Sequence, residues 1–222
     1  MWVKVCGNTN LEDAALAAEA GADAVGFVFA ESPRHVTAAQ VSTITPHLPA
    51  ELEKVGVFVS ASFDEIVQTV ASCGLTGVQL HAHHDATLAP RLRRHCGDEL
   101  KILRVIHYAQ DLAAQFDAAQ RDRSINGVLV DSRTATAVGG TGVRFDWQAA
   151  RQHFFAAASH LKLIAAGGLA PENVAEVIHT LHPWGVDVVS GVEAAPGKKD
   201  HARVKAFVHA AKAATAEIST AR

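Results

Sequence analysis

Met1-Trp2-Val3-Lys4-Val5-Cys6-Gly7 opens the chain and governs how the rest is read. Side chains alternate across a strand, so Val3 and Val5 share one face while Lys4 and Cys6 share the other. Two valines suit a face covered by helices. A lysine and a cysteine suit the interior and mouth of a closed barrel. Gly7 permits a sharp turn directly after Cys6. A polar side chain at the C-terminal end of a barrel strand stands where barrel enzymes keep their chemistry. If seven more strands follow, Cys6 belongs to such a mouth.

Seven more apolar segments do follow, at 22–29, 53–59, 77–81, 100–106, 127–131, 161–165 and 185–189. Helical stretches separate them. Asn10 caps the first, which ends at Gly21. Thr37 starts the second, Ser62 caps the third with Gly74 as its stop, and Asp85 opens the fourth. Residues 109–120 and 146–158 make two more. Pro171 suits the first turn of the next, and Asp200 caps the last. Eight alternating units predict a parallel (β/α)8 barrel in one α/β domain spanning 1–222. A doubly wound open sheet is the alternative, but it usually has fewer strands and often a dinucleotide fingerprint. Gly139-Gly140-Thr141-Gly142 does not fit that fingerprint.

Composition narrows the class. The 222 residues fall a little short of the roughly 250 typical of such barrels. A net charge of −3 without a long basic run gives no footprint for nucleic acid. Cys6, Cys73 and Cys96 are few, odd in number and widely spaced, which points to a reducing compartment rather than a disulfide framework. No apolar run is long enough for a membrane span. The first residues read as a core strand, not a signal peptide. The expectation is a cytoplasmic protein acting on a small molecule.

Period-two alternation then fills the mouth. In the second strand Val25, Phe27 and Phe29 face the helices, while small Ala24 and Gly26 face inward. Gln79 and His81 turn inward from the fourth strand, Leu129 and Asp131 from the sixth, and Asp187 from the eighth. Strands one and six lie on roughly opposite sides of an eight-membered ring, so Cys6 and Asp131 could flank a ligand. Lys4, one layer deeper than Cys6, is a candidate source of positive potential for it, and Asp187 could contact Lys4 or substrate. Two glycine-rich turns, Gly167-Gly168 and Ser190-Gly191-Val192-Glu193, follow strands seven and eight. Barrel enzymes often bind phosphate there through backbone N–H groups. Gly140 and Gly142 would add N–H groups or a lid. Plainer readings suit other residues. Cys73 and Cys96 read as structural thiols. His81, His83 and His84 lack a clear carboxylate partner, so no metal site is assigned. Lys198-Lys199 reads as surface charge.

Together, Lys4-Val5-Cys6-Gly7, Ser32-Pro33-Arg34, Val78-Gln79-Leu80-His81, Leu129-Val130-Asp131-Ser132, Gly139-Gly140-Thr141-Gly142, Ala166-Gly167-Gly168-Leu169 and Ser190-Gly191-Val192-Glu193 resemble the phosphoribosylanthranilate isomerase family of tryptophan biosynthesis. The motifs come in the family's order over nearly the whole chain. Ala82 departs from a common glycine and Val189 from a common serine. The resemblance implies an Amadori rearrangement of a phosphoribosyl substrate without cofactor or metal. It implies Asp131 as general acid, Cys6 as general base and Arg34 as partner of the anthranilate carboxylate. Gln79, His81 and Asp187 would line the substrate site. Gly140, Gly142, Gly167, Gly168, Ser190 and Gly191 would hold its phosphate. A histidine-pathway isomerase and a non-catalytic phosphate-binding barrel are the competing readings. Monomer and homodimer both remain open.

Overall fold

The computed structural model describes residues 1–81, 85–107, 112–131 and 160–220. Eight parallel strands follow one another around a closed ring. They are β1 (Trp2–Val5), β2 (Ala24–Val28), β3 (Glu53–Phe58), β4 (Gly77–Leu80), β5 (Lys101–His107), β6 (Gly127–Asp131), β7 (Lys162–Ala166) and β8 (Gly185–Val188). The ring closes where β1 pairs with β8, with Lys4 opposite Asp187. Closure leaves the barrel itself without an edge strand. The expected (β/α)8 barrel is therefore the observed architecture, and the open sheet is excluded.

Two apolar cores follow from the alternation along each strand. Val3, Val5, Val25, Phe27, Val78, Leu80, Val128 and Val130 pack into the outer core between strands and helices. Ala24, Val55, Leu103, Leu129 and Ile164 fill a separate inner core with Trp2. The outer helices are α1 (Leu11–Glu19), α2 (Ala38–Ile44), α3 (Phe63–Cys73), α4 (Leu88–Cys96), α5 (Leu112–Arg121), α6 (Val174–Leu181) and α7 (His201–Thr220). Their starts and stops follow local chemistry. The Asn10 side chain accepts from the Asp13 N–H, and Thr37 and Ser62 form capping boxes with Gln40 and Glu65. Gly74 ends α3 in the left-handed conformation.

Two local expectations change, and one short element is new. Asp85 does not open α4. Its carboxylate accepts from the Thr87 N–H and hydroxyl, which makes a turn before the helix begins. Pro171 lies in the turn before α6, because Asn173 ties that turn to Ala170 and Gly168. After β8, a 3-10 turn (Ser190–Val192) leads into a hairpin of β9 (Glu193–Ala195) and β10 (Lys198–Lys199). The expected helix at 146–158, the loop holding Gly140 and Gly142, and His83 and His84 lie outside the described residues.

Candidate active site

A cavity of about 260 Å³ opens at the C-terminal ends of the strands. Cys6, Gln79, His81, Asp131 and Asp187 all line it. Arg34 reaches it from the loop after β2, and Gly167, Gly168 and Ser190 reach it from the loops after β7 and β8. Each of these residues was singled out in the sequence, and the barrel brings them to one mouth. Gly191 has a different place, since it does not line the cavity. A Cβ there would collide with the Leu169 carbonyl oxygen, so glycine lets the loops after β7 and β8 pack backbone to backbone. Arg203 on α7 then donates from Nε to the Gly191 carbonyl at 2.8 Å.

The floor of the cavity is ionic. Lys4 Nζ donates to Asp187 Oδ1 at 2.8 Å and to Gln79 Oε1 at 2.9 Å, all three side chains being buried. Lys4 is also a positive neighbour of the Cys6 thiol. A Cβ at Gly26 would collide with Cys6 Sγ, so the glycine read as inward-facing on β2 is what makes room for the thiol. Burial pushes the Cys6 thiol above its ordinary value, Lys4 pulls it down, and Asp187 pushes it up again. Lys4 is therefore the positive neighbour anticipated from the sequence, but desolvation outweighs it in this site. Burial also works against the charge on Lys4, yet Asp187 and Cys6 hold its ammonium above the usual lysine range. Burial raises the Asp187 carboxyl, against the pull of Lys4 and with a further push from Asp131. Of the pair, Lys4 is the firmer charge: it has two close acceptors, whereas Asp187 faces a second carboxyl. Asp131 is 7% exposed.

The mouth has a second ionic group that sequence reasoning missed. Arg34 lays its stem across Gly7, where a Cβ would lie 2.8 Å from Arg34 Cδ. Its Nε and Nη2 donate to the two oxygens of Glu193 at 2.8 and 2.6 Å. Lys199, expected on the surface, is only 2% exposed. Its Nζ donates to the Cys6 carbonyl at 2.5 Å and to Glu193 Oε1 at 3.3 Å. The correction has a physical cause: the β9–β10 hairpin folds back toward the mouth and carries Lys199 inward. Pro196-Gly197 between two short segments was a turn signal that could have revealed the hairpin. His107 was also missed. It ends β5 beside Asp131 in register, with its ring edge-on to His81 at 4.9 Å between centroids.

This arrangement can do two things chemically. Cys6 and Asp131 can exchange protons with a ligand held between them, and the glycine loops can hold an anion near Ser190. Among the described residues, no helix is long and apolar enough to cross a membrane.

Known proteins resemble this chain over nearly its whole length. Residues 3–210 match the family model described as N-(5'phosphoribosyl)anthranilate (PRA) isomerase. The chain is 40% identical over 216 residues to N-(5'-phosphoribosyl)anthranilate isomerase from Pelobacter propionicus, covering 97% of each chain. It is similar in structure to phosphoribosyl anthranilate isomerase from Thermotoga maritima, with a TM-score of 0.82 at 36% identity over 96% of this chain and 99% of that one. A second crystal structure of a phosphoribosyl anthranilate isomerase holds reduced 1-(o-carboxyphenylamino)-1-deoxyribulose 5-phosphate. It gives a TM-score of 0.81 at 33% identity, again over 96% and 99% of the two chains.

Proposed function

The chain belongs to the N-(5'-phosphoribosyl)anthranilate isomerase family of tryptophan biosynthesis, and from that premise we propose how its residues divide the reaction. Asp131 is the general acid and Cys6 the general base of an Amadori rearrangement. Asp131 gives its proton to the furanose ring oxygen. The bond from that oxygen to C1′ breaks as the anilino nitrogen's lone pair forms a C1′=N iminium. The Cys6 thiolate then takes the proton from C2′, and the electrons of that bond neutralise the iminium to give an enolamine. The enolamine loses its C2′ hydroxyl proton and gains one at C1′, which yields the ketose. Substrate and product keep the same formula. Cys6 has gained a proton and Asp131 has lost one, so exchange with water restores both.

One observation carries this reading: Cys6, directly after β1, and Asp131, at the end of β6 three strands away around the ring, line a single cavity. The rest of the mouth fits the two ends of the ligand bound in the solved relative. Backbone N–H groups around Gly167, Gly168 and Ser190 suit the 5-phosphate. A guanidinium fork at Arg34 suits the carboxylate of the anthranilate ring. Asp187, through Lys4, holds the floor beneath the sugar, and Gln79 and His81 line its wall.

Each proton-transfer group contributes on the order of 10²–10⁴ in rate. Cys6→Ser and Asp131→Asn should each lose that much while unfolding at the wild-type temperature. Freshly formed phosphoribosylanthranilate, followed by the fall in anthranilate-type fluorescence, measures the effect. Wild-type turnover with either variant fully active would overturn the assignment of that residue.

A further inference from the structure

We infer that Glu193 is a positioning residue that sets the enzyme's selectivity for a substrate bearing an aryl carboxylate, by holding one edge of Arg34 so that the other edge faces the cavity. The inference rests on the reading that Arg34 takes the anthranilate carboxylate, and extends it to a residue that lies behind the arginine and does not line the cavity.

The geometry is specific. Glu193 Oε1 accepts from Arg34 Nε at 2.8 Å and Oε2 accepts from Nη2 at 2.6 Å. A side-on pair of this kind fixes the plane of the guanidinium. It uses Nε and Nη2 and leaves Nη1, which makes no hydrogen bond among the described residues, to receive a second carboxylate. Glu193 is itself fixed. It begins β9, its Oε1 also accepts from the Gly197 N–H at 3.2 Å and from Lys199 Nζ at 3.3 Å, and its side chain is only 4% exposed. Burial alone would push its carboxyl up, but Arg34, Lys199 and the Gly197 N–H outweigh burial and hold it below the ordinary range.

Charge explains why a carboxylate stands behind a carboxylate-binding arginine. Arg34 and Lys199 bring two positive charges and Glu193 removes one, so the group keeps a single positive charge for an anionic ligand. Lys199 also donates to the Cys6 carbonyl at 2.5 Å, which ties this brace to the strand end that carries the thiol. Without Glu193 the arginine stem still crosses Gly7, but its head is free to rotate, and each binding event must order it again.

The test compares two substrates, phosphoribosylanthranilate and the phosphoribosyl adduct of aniline, which lacks the carboxylate. Formation of ketose from both is followed by proton NMR. The readout is the ratio of kcat/KM for the carboxylate substrate to that for the aniline analogue. Glu193→Gln should lower this ratio about ten- to a hundredfold, chiefly through KM for the carboxylate substrate, with the aniline analogue nearly unaffected. Arg34→Met should abolish the preference, and Glu193→Asp should restore part of it. Equal losses on both substrates in Glu193→Gln would reduce Glu193 to a structural role, and no loss would remove it from the site. An intact preference in Arg34→Met would overturn the arginine's own assignment and this inference with it. Loss of preference in Arg34→Met but not in Glu193→Gln would overturn the inference alone. If Glu193→Gln fails to fold, the same ratio in Glu193→Asp decides.

Discussion

Burial and charge compete at Cys6. A general base must be thiolate, yet the thiol is buried and pushed above its ordinary value, with Lys4 pulling down and Asp187 pushing up. A base whose pKa is raised is more fully ionised only at higher pH, so kcat/KM should climb with pH beyond the ordinary thiol range near 8.5. The two neighbours should move that limb in opposite directions. Asp187→Asn removes a negative neighbour and should shift the limb to lower pH. Lys4→Met removes a positive one and should shift it to higher pH. Lys4→Met also leaves the Asp187 carboxyl buried without its 2.8 Å partner, which should cost about 3–5 kcal/mol of stability. Profiles of kcat/KM against pH, paired with the pH dependence of Cys6 alkylation, measure the shifts. Movement of both limbs in the same direction would mean that the titrating group is not Cys6.

The loops after β7 and β8 act as one element because Gly191 has no side chain. A Cβ at this position would collide with the Leu169 carbonyl, so Gly191→Ala must part the loops that carry Gly168 and Ser190. KM should rise about ten- to a hundredfold, the worth of one or two hydrogen bonds to a charged group, and inorganic phosphate should weaken in parallel as a competitive inhibitor. If KM rises while phosphate inhibition is unchanged, these loops do not hold the phosphate. At this scale the barrel strands and most helix caps were legible in the sequence. β6 is predicted at 127–131 and observed as Gly127–Asp131, because three inward and two outward positions leave one register that buries both valines under the helices. The β9–β10 hairpin was not legible. Its strands are three and two residues long, too short to show a period, so Lys199 reads as surface charge and Glu193 only as the end of a glycine-rich turn. Asp85 misled for a different reason: the residue type that caps a helix also makes the turn before one.

Across the whole barrel, the mouth carries chemistry and the base carries stability. Trp2, Glu53, Lys101 and Lys162 begin the odd-numbered strands and share the inward face with Lys4, Val55, Leu103 and Ile164. The even strands begin with Ala24, Gly77, Gly127 and Gly185, which leave room for them; a Cβ at Gly185 would lie 2.8 Å from Trp2 Cε3. Alternate strands thus supply the bulk of each layer. Trp2 stacks on Trp184 with centroids 5.1 Å apart, and Lys101 Nζ lies 5.2 Å from each of these rings while pairing with Glu53. Lysines at strand starts look like surface charge in a sequence; only closure of the ring turns them over the tryptophans. This plug is far from the reacting atoms along every strand. Trp2→Ala should therefore cost about 3–5 kcal/mol of stability, as aromatic truncation in a core does. At about 2–4 °C per kcal/mol for a chain of this size, Tm should fall by roughly 10 °C. The folded variant should keep kcat/KM within about twofold of wild type, the reverse of Asp131→Asn, which should lose activity at unchanged Tm. Thermal unfolding and the fluorescence assay on the same samples separate the two. A loss of activity in Trp2→Ala matching that of Asp131→Asn would mean that β1 transmits the packing of its first residue to the thiol at its other end.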